Sequence, residues 1–188
     1  NVLVTPGGQA ALFAAHMASC GPGDTALFID PYYVTYPGTI RAAGARPHPI
    51  STRAEAGFLP DAAELDRAAA TTQARALLIN TPNNPTGAVY PPDTLRAIAK
   101  VARARDLWLI SDEVYDTLIW EGAHLSPRAL PGMAERTIVC GSMSKSHAMT
   151  GSRIGWIIAP TPVIAALTDL ATNTTYGVPG YIQDAAHY

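Results

Sequence analysis

The sequence predicts a three-layer α/β/α sandwich built on a mostly parallel sheet, and three observations carry that expectation. Short apolar stretches, Thr25–Ile29, Arg75–Ile79, Asp106–Ser111 and Thr137–Cys140, are too brief for helices and apolar enough to be covered on both faces. Segments with helical spacing lie between them, which is the alternation that places parallel strands side by side with helices above and below. The polar clusters of the chain each follow an apolar stretch, at the carboxyl ends of strands, where ligands of such sheets gather.

Taken in order, Val2–Val4 reads as a strand, and Pro6-Gly7-Gly8 turns the chain into an alanine-rich helix over 9–19 with Leu12, Phe13 and Met17 at helical spacing. A glycine pair feeding a helix start suits an anion, because free N–H groups and the helix dipole point the same way; a plain tight turn also explains it. Gly21-Pro22-Gly23-Asp24 stops that helix, and strand Thr25–Ile29 ends at a tyrosine cluster, Tyr32, Tyr33 and Tyr36. Such a cluster serves packing or offers a ring face to a flat ligand. A short helix over 39–43 ends at Gly44, and Arg46–Ile50 reads as a strand weakened by Pro47 and Pro49.

After a polar connection, Asp61 heads a helix over 61–71. Strand Arg75–Ile79 runs into Asn80-Thr81-Pro82-Asn83-Asn84-Pro85-Thr86-Gly87, which is turn chemistry that also presents asparagine amides at a strand exit. A helix over 93–105, with Leu95, Ile98 and Ala102 on one face, leads to strand Asp106–Ser111 and then to Asp112-Glu113. These two acids are either surface groups or part of a site, and Tyr115 offers Asp112 a hydroxyl three residues on. Leu118–Trp120 is expected as a further short strand, 121–135 as an irregular loop, and strands 137–140 and 154–159 as a hairpin-like return. Helices over 161–171 and 181–188 close the chain.

Composition narrows the function. With 188 residues, 48% hydrophobic content and a net charge of -2, the chain can bury a substantial core, and its 13 basic and 15 acidic residues form no basic block for nucleic acid or an anionic membrane. Neither a membrane-spanning run nor a leader pattern is present. Cys20 and Cys140 make neither a disulfide framework nor a metal cluster, so they read as reduced core thiols in a cytoplasmic protein handling small molecules.

The richest stretch is Gly141-Ser142-Met143-Ser144-Lys145, continuing to Gly151-Ser152-Arg153-Ile154-Gly155. A strand delivers one lysine to the mouth of the sheet, between serines and eight residues ahead of an arginine whose fork suits a phosphate. A lysine held in a cleft is a nucleophile for carbonyls, so lysine, serine and arginine together suggest a phosphorylated aldehyde held as a Schiff base. A solvated surface lysine is the bland alternative. His147, in the same loop, is expected to pack or to support the loop.

Four motifs in sequence order, Pro6–Leu12, Asn83–Gly87, Ser111–Tyr115 and Ser142–Gly155, resemble the class I and II aminotransferases, pyridoxal-phosphate enzymes of the aspartate aminotransferase fold. The likeness covers nearly all of the chain. It implies that Lys145 holds pyridoxal 5'-phosphate covalently and moves the substrate's proton, and that Asp112 pairs with the pyridine nitrogen. It further implies that Asn84 and Tyr115 bond the phenolic oxygen, that Tyr33 stacks on the ring, and that Gly8, Gln9, Ser142, Ser144 and Arg153 hold the phosphate. Catalytic roles then fall to Lys145, Asp112 and Tyr115, with no metal.

The resemblance also implies what residues 1–188 are: a cofactor-binding large domain, expected to be part of a longer protein that works as a homodimer. An N-terminal segment and a C-terminal small domain, which carry the arginine for the substrate's carboxylate, are expected outside these residues, since Arg153 is committed to phosphate. Position 152, tryptophan in many members, is serine here. The activity implied is transfer of an amino group between an amino acid and a 2-oxo acid. Two alternatives stand beside it: other chemistry on the same cofactor, such as a carbon–sulfur lyase or a cyclopropane-forming synthase, and a cofactor-binding but catalytically silent module.

Overall fold

A computed structural model describes residues Asn1–Tyr188. In chain order its strands are β1 (Val2–Thr5), β2 (Thr25–Asp30), β3 (Arg46–Ser51), β4 (Ala76–Asn80), β5 (Trp108–Asp112), β6 (Thr137–Ser142) and β7 (Gly155–Ile158). The helices are α1 (Gly8–Ser19), α2 (Tyr36–Ala42), α3 (Ala62–Thr72), α4 (Pro92–Ala104), α5 (Met143–Ser146), α6 (Thr161–Thr172) and α7 (Gly180–His187). The strands form one seven-stranded sheet in the order β1-β7-β6-β5-β4-β2-β3. Strands β2 to β6 run parallel, and β7 lies antiparallel between β6 and β1. The three-layer, mostly parallel architecture is the one expected.

Alternation along each strand explains the two cores. On β2, Ala26 and Phe28 face one side while Leu27 and Ile29 face the other, because successive side chains leave a strand in opposite directions. The first set joins Leu78, Ile110, Ile138 and Cys140 under α1, α2 and α6. The second joins Leu77, Ile79 and Leu109 under α3 and α4, which present Leu65, Ala69, Leu95 and Ile98. Truncating a fully buried leucine such as Leu77 to alanine in so closed a layer typically costs about 2–5 kcal/mol.

The helix ends follow local chemistry. Asp61 caps α3, its Oδ1 accepting from the amides of Ala63 and Glu64. Strand β3 lies at a sheet edge, where Pro47 and Pro49 cost few ladder hydrogen bonds. One expected strand is missing: Leu118–Trp120 belongs to an exposed loop, with Trp120 91% exposed, because β5 already has β4 and β6 on its two sides. The return formed by β6 and β7 is as expected, with Ser142 opposite Gly155. Cys20 and Cys140 are buried, free thiols, and no helix is long and apolar enough to cross a membrane.

Candidate active site

The carboxyl ends of β4, β5 and β6 and the start of α1 converge on one cleft. It is lined by Gly8, Gln9, Tyr33, Asn84, Asp112, Tyr115, Ser142, Ser144, Lys145 and Arg153, and by Leu12, Tyr36, Asn80, Val114 and Thr150. All ten residues singled out in the sequence therefore share a single wall-to-wall space. Lys145 is exposed at its mouth, on the one-turn helix α5 that follows β6.

The cationic end is assembled around glycine. Gly155 in β7 lets three backbones meet: a Cβ there would lie 2.7 Å from the Gly141 carbonyl oxygen and 2.8 Å from the Gly8 nitrogen. No side chain fits, so the start of α1 is pressed against the β6–β7 hairpin. Gly7 takes φ +89°, a left-handed conformation that glycine adopts readily, and the Arg153 guanidinium packs directly against it. Arg153 donates to the Thr150 carbonyl at 2.7 Å and has no carboxylate partner. Helix α1 has no side-chain cap and no acid in its first turn. An arginine and uncapped helix amides facing one space make a site for an anion. Ser142 caps α5 through the Ser144 amide, and its Oγ lies 2.9 Å from both the Ser144 Oγ and the Ile154 carbonyl oxygen.

Two strands away from β7, the end of β5 brings a buried acid to the same cleft. Asp112 closes β5 with 3% exposure, and its only side-chain partner is Tyr36, whose hydroxyl donates to Oδ2 at 2.7 Å. The Val114 amide donates to Oδ1 at 3.3 Å. Burial pushes the Asp112 carboxyl up to about 6; the Tyr36 and Val114 donors pull it down, and the neighbouring Glu113 charge adds to the rise. Burial and the Asp112 charge hold the Tyr36 hydroxyl well above its ordinary value, so it remains a donor. The expectation that Tyr115 would serve Asp112 is corrected: Tyr115 instead accepts from the Asn84 amide at 3.3 Å. Asn80 positions that pair, accepting from the Asn84 backbone N–H at 2.7 Å while donating to the Asp112 carbonyl at 3.0 Å.

The tyrosine cluster divides its labour. Tyr36 is core, Tyr33 is 39% exposed in the cleft wall, and their rings meet edge to face at 5.9 Å. Gln9 is fixed by the Thr35 hydroxyl at 3.0 Å. His147 neither packs nor lines the cleft; it is exposed and touches only the Ser146 hydroxyl, so the supporting role expected for it is not formed. Tyr36 and Asn80 were missed by the sequence reading. Asn80 carried a signal, since it ends β4 directly opposite Asp112, the same place in the neighbouring strand.

A doubly wound sheet with a lysine, a buried carboxylate without an ion-pair partner and an anion cradle around one cleft defines an α/β protein whose ligand site lies at the strands' carboxyl ends. The chain belongs to the family of class I and II aminotransferases, whose model matches residues 1–187. It is 47% identical to the arginine–pyruvate transaminase of Pseudomonas aeruginosa, over 99% of this chain and 47% of that protein. It is 43% identical to the aspartate/prephenate aminotransferase of Thermus thermophilus, over 93% of this chain and 45% of that protein. Among solved structures, the Thermus thermophilus aspartate aminotransferase with maleate superposes with a TM-score of 0.92 at 40% identity, covering 97% of this chain and 47% of that one. The aromatic aminotransferase of Pyrococcus horikoshii superposes at 0.94 and 35% identity, covering 98% and 50%. The chain thus spans about half the length of the relatives it matches.

Proposed function

We propose that residues 1–188 are the cofactor-binding domain of a pyridoxal-phosphate-dependent aminotransferase that moves an amino group between an amino acid and a 2-oxo acid. The observation that carries this reading is the polarity of the cleft: a buried carboxylate without a cation at one end, an arginine without a carboxylate at the other, and Lys145 between serine-lined walls. A ligand with a protonatable ring nitrogen at one end and a phosphate at the other matches both unpaired charges.

The donor set fits pyridoxal phosphate residue by residue. Arg153, the Gly8 and Gln9 amides, Ser142 and Ser144 would hold the phosphate. Asp112 would face the ring nitrogen and keep it protonated, which relieves the cost of its own burial. Asn84 and Tyr115 would bond the phenolic oxygen, and Tyr33 would lie against the ring. Lys145 would hold the aldehyde carbon and, when free, carry the proton that leaves the substrate. When bound, pyridoxal phosphate supplies an electron sink for a substrate carbanion.

Relatives named for arginine and pyruvate, for aspartate and prephenate, and for kynurenine and oxoglutarate align over the same residues, which supports the general activity rather than one substrate. Arg153 is the only arginine in the cleft and belongs to the phosphate end, so this domain provides no second guanidinium for a substrate carboxylate. The reading carries with it a cytoplasmic homodimer, checked by sedimentation of the protein.

Lys145→Ala tests the assignment. The wild type with added cofactor is expected to retain a borohydride-fixed adduct on the peptide containing Lys145, and the variant is expected to retain none. An adduct of equal yield in the variant would remove the reading. Half-reactions with amino acids separate amino transfer, which leaves the amine form of the cofactor, from elimination, which releases ammonia.

A further inference from the structure

Beside Asp112 sits a second buried acid that the cleft does not use. Glu113 is 6% exposed and follows the Leu109–Ser111 row onto the opposite face of the sheet, away from the cleft lining. Its backbone N–H donates to the Cys140 carbonyl at 2.9 Å, which extends the β5–β6 ladder by one residue and fixes where the side chain points. Both of its carboxylate oxygens are taken by residues from the far end of one loop. His124 Nε2 lies 2.9 Å from Oε2, and the Ser126 hydroxyl donates to Oε1 at 2.8 Å.

The loop between these partners leaves the sheet at Val114–Tyr115 and is exposed over 120–123. It returns at His124, and Leu125 packs against the second core. The loop is therefore closed on itself, with Glu113 at its root and His124 and Ser126 at its return. Tyr115, whose hydroxyl meets Asn84 in the cleft, is the second residue out from that root. The His124 side chain is only 13% exposed, and its Nδ1 is buried without a partner, so the ring is held there by its single bond to Glu113. A buried imidazole that satisfies one nitrogen and leaves the other bare costs free energy, and a well-placed carboxylate offsets it.

We propose that Glu113, His124 and Ser126 form a clasp that sets the position of Tyr115, making His124 a positioning residue for a cleft it does not touch. The functional weight given to Tyr115 rests on the reading of the cleft above; the clasp itself does not. Without the His124 bond, the loop keeps its root, where the Leu118 and Asp116 amides bond to Tyr115 and Glu113, but loses the closure that fixes its angle.

The test compares His124→Ala, His124→Gln and the milder Ser126→Ala, free of cofactor and then loaded with pyridoxal phosphate. Carbon-13 tyrosine labelling, with the Tyr115 signal assigned by Tyr115→Phe, reads the ring directly. In His124→Ala the Tyr115 signal is expected to move while those of Tyr36 and Tyr90 stay. Amide exchange over 114–123 is expected to rise about tenfold, the value of one buried hydrogen bond. His124→Gln, which keeps a donor, should restore both, and Ser126→Ala should show the same changes at smaller size. In the loaded protein, the pH midpoint of the visible absorbance should rise by about one unit in His124→Ala as the Tyr115 bond weakens.

An unmoved Tyr115 signal in both His124→Ala and Ser126→Ala overturns the clasp. Faster exchange with an unmoved Tyr115 signal also overturns it, since that is a merely structural role. Failure of the wild type to take up the cofactor would remove the reading of the cleft and leave the cofactor-free measurements to decide the clasp.

Discussion

Asp112 and Glu113 are adjacent acids at the end of one strand, both buried, and the protein treats them in opposite ways. Glu113 has each oxygen matched by a side chain of its own loop. Asp112 receives one hydroxyl and one long amide bond, faces an open cleft, and forms no ion pair. A fold that satisfies one buried charge completely could have satisfied the next in the same way. The difference teaches that burial alone does not mark a site; a buried charge left facing a cavity does.

Breaking the Asp112 side of this contrast gives the largest expected effect. An acid whose carboxyl is raised on folding is destabilising once it ionises: below the unfolded value of 3.8 nothing is lost, and the penalty grows as pH rises to about 6 and is constant above it. About two units correspond to about 3 kcal/mol. Cofactor-free protein should therefore lose about that much stability between pH 4 and pH 7 relative to Asp112→Asn, measured by urea unfolding of both. A flat difference across that range would show that Asp112 is not buried as a charge. On the proposed function, Asp112→Asn in the loaded protein would remove the partner of the ring nitrogen, and half-reaction kinetics should show proton abstraction slowed more than cofactor uptake.

Breaking the Glu113 side comes next. Glu113→Ala orphans His124 and Ser126 together and should cost about 2 kcal/mol, read by the shift in urea midpoint at constant slope. The smallest effect sharpens the contrast without removing either acid. Tyr36→Phe deletes the hydroxyl that favours the Asp112 carboxylate, so the upper edge of the pH window of destabilisation should rise by about one unit while its lower edge stays at the unfolded value, deepening the penalty at neutral pH by about 1 kcal/mol.

These particulars show what was legible in the sequence. The strands of the central sheet were plain because each is buried on both faces, and Lys145, Arg153, Asn84 and Tyr115 were singled out through motifs that resemble the family's, which the fold gathers into one cleft. Tyr36 was not, since its bond to Asp112 spans 76 residues and the cluster of tyrosines gives no sign of which ring turns inward. Leu118–Trp120 misled because three apolar residues in a row look like a strand, although a strand also needs an unoccupied neighbour in the sheet. The clasp on Glu113 was hidden for a related reason: a loop's point of return depends on tertiary geometry that local pattern does not encode.

One feature of the sheet bears on how the molecule is made. Strand β1 pairs only with β7, which starts 150 residues later, so β1 has no neighbour in the sheet until residues 155–158 have been made. Gly7 and Arg153 meet by the same late event. A nascent chain halted before residue 155 should already carry the β2–β6 sheet with Asp112 in place, yet lack the Gly7–Arg153 contact, so the two sides of the cleft are joined only when β7 docks.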